Sequence, residues 1–204
     1  MKKEQVVAND EEQSKEEKEK KKEEFNIIKE LFSMAIYIAF VIVVVWFVIT
    51  FVGQRTEVSG SSMYDTLEDG DNLWIDKLSY RFKDPERFDI VVFPHEETAD
   101  GEVYYIKRII GLPGERIRIE EDGTIFINNE PLEEEYGYEV IDPSMIGRAK
   151  SNIILGEDEY FVMGDNRNDS FDSRAKEVGN IKKEDFEGKA VLRIWPLSKF
   201  GTID

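Results

Sequence analysis

The chain has no cysteine and a single histidine among 204 residues. The first absence removes a thiol nucleophile, a disulfide framework and Cys-type zinc sites; the second leaves no histidine cluster and only one imidazole as a candidate base. Downstream of residue 53 there is no block of Lys and Arg, and the formal net charge is −17. Nucleic-acid binding, which needs clustered cations, is therefore not expected. A helix-alternating-with-strand rhythm is also missing, which argues against a parallel α/β sheet. Without disulfides, a domain outside the cytoplasm would have to hold together by packing alone.

What is present begins with one long apolar run. Leu31 to Val52 carries no charge over 22 residues, enough for a helix rising about 1.5 Å per residue to span a hydrocarbon core of roughly 30 Å. It reads as a transmembrane helix over 31–53. A cleaved signal peptide would be shorter and would end in small residues, whereas Thr50-Phe51-Val52-Gly53 is bulky. Lys15, Lys18, Lys20, Lys21, Lys22 and Lys29 precede the span and Arg55 follows it, so a single-pass protein with a cytoplasmic amino terminus is expected. Residues 1–30 read as a charged cytoplasmic tail rich in Lys and Glu.

Residues 54–204 read as one extracytoplasmic domain, long enough to bury its own core. Short β-branched and aromatic runs separated by Gly, Pro, Asp and Asn predict strands over 72–77, 88–93, 102–110, 116–119, 124–128, 160–163 and 190–195. Asp122-Gly123 marks a hairpin turn. Residues 129–159 are acidic and less periodic, and read as an appended subdomain; 182–187 suggests a short helical turn. The fold class is mostly β: a single amino-terminal transmembrane helix, then an antiparallel β-rich catalytic domain with a small inserted subdomain.

With thiols and metals set aside, the remaining route to catalysis is a hydroxyl paired with an amine. Serine needs a base within hydrogen-bonding reach. His95 lies in the charged stretch Phe93-Pro94-His95-Glu96-Glu97-Thr98 and reads as an exposed loop histidine. A lysine serves only if burial lowers its pKa from about 10.4 toward 7, a cost of roughly 4 kcal/mol. Lys107, in Val103-Tyr104-Tyr105-Ile106-Lys107-Arg108-Ile109-Ile110, fits a buried strand, but equally fits an edge lysine whose amine reaches outward. Ser62, beside Ser59 and Ser61, fits a nucleophile and equally a turn residue.

A third stretch, Gly164-Asp165-Asn166-Arg167-Asn168-Asp169-Ser170-Phe171-Asp172-Ser173-Arg174, is dense in small polar side chains and arginine after an apolar strand. Taken with Ser62-Met63 and with Tyr105 to Gly114, in that order, it resembles the bacterial type I signal peptidases over the anchor and nearly the whole outer domain. The resemblance implies a membrane-bound serine endopeptidase that cleaves signal peptides from exported preproteins at Ala-x-Ala sites with a Ser/Lys dyad. Ser62 would be the nucleophile and Lys107 the base, with the Ser62 N–H in the oxyanion hole, flanked by Gly60 and Ser61. Ser170 would hydrogen-bond the lysine, and Asp172 would pair with Arg174 and Arg108. Met63, Leu67, Tyr105 and Ile106 would line small substrate pockets. No cofactor and no metal are implied. The implied partners are secretory preproteins, the lipid bilayer and the protein-export machinery.

Three departures from the family pattern stand out. Asp65 replaces a proline that often precedes the Thr66-Leu67 pair, Gly60 lacks the serine side chain that some relatives use as an oxyanion donor, and Phe88 stands where relatives have glycine. Two other readings share some of these features. A self-cleaving repressor-like Ser/Lys protease is opposed by the span and the lack of a DNA-binding segment. A catalytically idle tethered β-domain that assists surface-protein assembly would be expected to lose Lys107. Near the membrane, Trp74 and Phe82 are candidates for a lipid-facing patch, with a core position the more natural place for each.

Overall fold

The computed structural model describes residues 29–98 and 101–203, and the chain divides into two compact units, Met1–Val48 and Ile49–Asp204. Most of the charged tail expected over 1–30 lies outside the described residues.

Helix α1, Lys29–Val52, is long and apolar enough to cross a membrane, and none of its most apolar stretch is buried against protein. Large side chains such as Phe32, Ile42 and Trp46 stand exposed along it. In water such a surface would be strongly unfavourable; in lipid it is matched to its solvent.

The second unit is antiparallel throughout. Its larger sheet holds β1 (Gly53–Glu57), β2 (Asn72–Asp76), β3 (Ile90–Thr98), β4 (Gly101–Gly111), β9 (Glu159–Met163), β10 (Ile181–Lys182), β11 (Gly188–Trp195) and β12 (Gly201–Thr202). The strand order is β1-β2-β11-β3-β4-β9-β10, with β12 added to β11. The smaller sheet, ordered β7-β6-β5-β8, holds β5 (Arg116–Ile119), β6 (Ile125–Ile127), β7 (Glu130–Pro131) and β8 (Ile153–Ile154). The Asp122-Gly123 turn joins β5 to β6 as expected, with Gly123 at φ 87° and Ile119 opposite Ile125. Residues 129–159 do not stand alone: the smaller sheet also takes in 116–127, because β7 and β8 add to the two edges of the β5–β6 hairpin, β7 on β6 and β8 on β5.

Alternation puts the core where the sheets need it. Ile117, Ile119, Ile125 and Ile127 pack with Ile110, Phe161 and Met163 between the sheets. A second cluster, Val58, Met63, Leu67, Leu73, Ile75, Ile90, Val92 and Ala190, lies under the loop that follows β1. The 182–187 turn is a 3₁₀ segment at Lys183–Asp185.

Two expectations are corrected by backbone geometry. The 88–93 strand begins at Ile90, because Phe88 has φ 75° and breaks the extended run. The stretch around His95 continues β3 as a strand, with Pro94 at a register shift where its missing N–H costs no ladder bond. His95 is half-buried, with its ring 4.5 Å from that of Tyr105 and 5.7 Å from that of Phe171. Phe82, for which a core position was the more natural place, is 80% exposed.

Candidate active site

The loop between β1 and β2 is closed at its neck by backbone bonds, Val58 N–H to Asp71 O at 2.8 Å and Gly70 N–H to Val58 O at 2.9 Å. Inside it, Tyr64 N–H to Ser61 O and Leu67 N–H to Met63 O close two overlapping turns. Met63 and Leu67, one turn apart, drive that segment into the core at 2% and 0% exposure. Ser62, just before Met63, is thereby held half-buried at the surface of the core. Gly60 has φ 95°, a conformation open to glycine, although a Cβ there would meet nothing within 4 Å.

Lys107 comes from the middle of β4. Its Nζ lies 2.8 Å from Ser62 Oγ and donates at 3.1 Å to Ile106 O. Only 4% of the residue is exposed. Burial lowers its pKa to about 8; Asp172 and Asp165 push the other way, and the Arg174 charge helps keep it down. Of the two open alternatives for this lysine, the buried one holds, because the strand places it facing the Ser62 loop and away from water.

The loop after β9 braces both sides. Asp172 accepts Arg174 Nε at 2.9 Å and Nη2 at 2.8 Å, Ser170 Oγ at 2.7 Å and Gly164 N–H at 3.1 Å. Burial alone would raise this carboxyl, but the Arg174 bonds and charge, with Ser170 and Gly164, hold it below the usual carboxylate range. Two expected pairings are corrected here. Ser170 donates to Asp172, and the bonds of Lys107 go to Ser62 and Ile106. Arg108 pairs with Asp165, at 2.8 Å from Nη2 to Oδ2, rather than with Asp172. The reason is strand alternation: Arg108 points to the face opposite Lys107, where Asp165 and the Thr66 hydroxyl, donating to Asp165 at 2.6 Å, are waiting. Arg108 also donates to Phe88 O at 2.9 Å and lies 3.7 Å over the Tyr136 ring. The unusual Phe88 backbone thus delivers a carbonyl to a fully buried guanidinium.

A groove of about 450 Å³ runs past the pair, lined by Thr56 to Met63, by Tyr104 to Lys107, and by Asp169 and Phe171. On one side of β4 the ladder with β9 covers Arg108 to Gly111, and residues 102–107 lie beyond it. A strand edge therefore faces the groove. Among the described residues, no group of three or more His, Asp or Glu side chains is placed to hold a metal ion.

The family model described as "Signal peptidase, peptidase S26" matches residues 28–195. The chain belongs to this signal peptidase family. Among its relatives, probable signal peptidase I-2 of Synechocystis is 37% identical over 157 residues, covering 76% of this chain and 68% of that protein. Signal peptidase I of Bacillus caldolyticus is 36% identical over 159 residues, 74% of this chain and 84% of its own. Signal peptidase IB of Staphylococcus aureus is 32% identical over 186 residues, 84% of this chain and 93% of its own. A crystal structure of a signal peptidase I from Enterococcus faecalis V583 is 33% identical, with a TM-score of 0.40 over 52% of this chain and 97% of that one. Membership makes the protein a serine peptidase, and with the apolar helix Lys29–Val52 it is a membrane-anchored protein.

In this signal peptidase Met63, Tyr105 and Ile106 line the groove, whereas Leu67 is 0% exposed and sits in the core beneath it. Gly60 and Ser61 line the groove as well. Three further residues of the 164–174 stretch, to which the resemblance assigns no role, act at this site. Gly164 is so close to the Ser62 loop that a Cβ would lie 2.3 Å from Ser62 O and 2.4 Å from Ser170 Oγ. Asp165 holds Arg108, and Asn166 holds the carbonyls of Ser61 and Ser62. Their local signal was only the density of small polar residues, since each acts on a partner roughly 60 to 100 positions away, beyond the reach of local patterning.

Proposed function

We propose that this peptidase removes amino-terminal signal peptides from exported preproteins after small residues, at Ala-x-Ala type sites, with Ser62 as nucleophile and Lys107 as general base. The observation that carries this is the 2.8 Å approach of a 4%-exposed lysine amine to a serine hydroxyl lining a groove. In the reactive state Lys107 is neutral and accepts the Ser62 proton as Oγ bonds to the scissile carbonyl carbon. The resulting oxyanion is received by the Ser62 N–H. Lys107 then gives the proton to the leaving amine as the C–N bond breaks, and the same lysine activates the water that releases the acyl group. The open edge of β4 suits an extended peptide backbone, and the Met63 and Ile106 side chains suit small apolar residues.

The anchor fits this chemistry. Signal peptides carry an apolar segment of their own, so a single-pass enzyme with its amino terminus in the cytoplasm meets them at high effective concentration as the export machinery delivers them. The test is cleavage of a precursor with an Ala-x-Ala site by the full chain in detergent. Ser62→Ala should abolish turnover; residual cleavage at the wild-type rate would remove Ser62 from its role.

A further inference from the structure

Gly60 contributes no side-chain donor, so the proposed reaction leans on one peptide group, the Ser61–Ser62 unit whose N–H faces the developing oxyanion. A donor of this kind works only if it is already aimed when charge develops. Within its own loop Ser61 O accepts the Tyr64 N–H at 3.0 Å, and three further contacts reach Ser61 and Ser62 from the 164–174 loop. Asn166 Nδ2 donates to Ser61 O at 3.2 Å, and the Asn166 N–H donates to Ser62 O at 3.1 Å. Ser61 Oγ donates to Asp169 Oδ2 at 2.5 Å. Among the described residues the non-trans peptides are Tyr64-Asp65 and Trp195-Pro196. The Ser61–Ser62 peptide is therefore trans, and its C=O and N–H point in opposite directions from one rigid plane.

A bond that fixes the carbonyl end consequently fixes the direction of the N–H end. It also polarises the amide, since a carbonyl that accepts a hydrogen bond makes its own N–H the stronger donor. The Ser62 N–H itself is used by none of the hydrogen bonds among the described residues, which leaves it available for a ligand. Gly164 allows the close approach: with any side chain there, the loop would be pushed off Ser62 O.

We propose that Asn166 is the positioning residue of the oxyanion site, clamping the two carbonyls that flank Ser62 so that the Ser62 N–H points at the substrate oxygen. Asp169 supports it by tethering the Ser61 hydroxyl. This deepens the Ser62 reading and rests on it. Lys107 is not touched by Asn166, so the clamp concerns charge stabilisation and leaves proton transfer to the base alone.

The test compares two ligands of the full chain in detergent: a peptide aldehyde ending in alanine, which adds Ser62 Oγ across its C=O and places a tetrahedral oxygen at the oxyanion site, and the matching peptide acid, which does not. Asn166→Ala and the uncharged, similarly sized Asn166→Leu should each lower kcat roughly 10- to 100-fold and weaken the aldehyde by a similar factor. Affinity for the peptide acid, KM and the pH midpoint of kcat/KM should stay unchanged. Loss of both ligands in parallel, or a shifted midpoint, would mean a general structural role and overturn the proposal, as would an unchanged aldehyde affinity. If Asn166→Ala fails to fold, the Leu variant carries the test. Failure of the Ser62 reading itself would look different: the aldehyde would then bind wild type and Ser62→Ala alike.

Discussion

As the proposed base, Lys107 depends on being badly solvated. With its pKa lowered from 10.5 to about 8 mainly by burial, wild-type kcat/KM should climb with pH and level off above a midpoint near 8, far below that of a free lysine. The same shift has a stability cost. Below about pH 8 folded and unfolded chains both hold the proton, and the buried charge costs roughly 3 kcal/mol at most. Between about 8 and 10.5 the unfolded chain binds more protons, so stability rises with pH across that window. Lys107→Met, similar in volume, should therefore be inactive yet melt higher than wild type at neutral pH, with the gap closing toward pH 10.5. Thermal melts of both proteins over that range check this; a gap independent of pH would show that the amine is not desolvated.

At the scale of elements, the strands carrying most core residues were legible from sequence and the short ones were not. Strands β2, β3, β4, β5, β6, β9 and β11 each overlap an expected run, because β-branched and aromatic alternation marks a half-buried surface. By contrast β7, β8, β10 and β12 are two residues each, too short to show a period. Strand β1, Gly-Gln-Arg-Thr-Glu, is an edge with a polar outer row and exists because β2 offers it a register from Gly53 opposite Asp76 to Glu57 opposite Asn72. The loop after β9 can approach Ser62 this closely because residue 164 is glycine. Gly164→Ala would force a methyl to 2.3 Å from Ser62 O; displacement of the loop that holds Ser62, the proposed nucleophile, should cut turnover by at least about 10²-fold, since misplacement by an ångström has that effect. Circular dichroism should show a folded protein, and near-wild-type turnover would contradict the close approach.

At the scale of the molecule, the buried ion pairs link parts of the second unit that are distant in sequence. Arg167, 2% exposed, pairs with Glu134 at 2.6 Å and donates to Gly164 O at 3.0 Å, tying the 129–159 excursion to the active-site loop. Arg193 Nε lies 3.0 Å from Asp71 Oδ2, but off the N–H axis, so the contact is an ion pair and leaves that N–H without a hydrogen bond. Both arginines hold the site from behind. The absence of cysteine makes the proposed orientation easy to test: with Lys199→Cys, at an exposed position, a membrane-impermeant maleimide should label intact cells. Labelling only after the membrane is opened would reverse the orientation.

The sequence by itself determined the anchor, the antiparallel β class and the order of the three motif stretches, because hydrophobic length and period are local properties that a chain displays without folding. Tertiary structure alone decided that Lys107 is dry, that Arg108 belongs to Asp165, that Leu67 is core and that His95 is wedged against Tyr105 and Phe171. Burial, pairing and charge state depend on which distant segments arrive at the same place, and in this protein the arrival of the 164–174 loop beside Ser62 turns a hydroxyl and an amine into neighbours of a peptidase site.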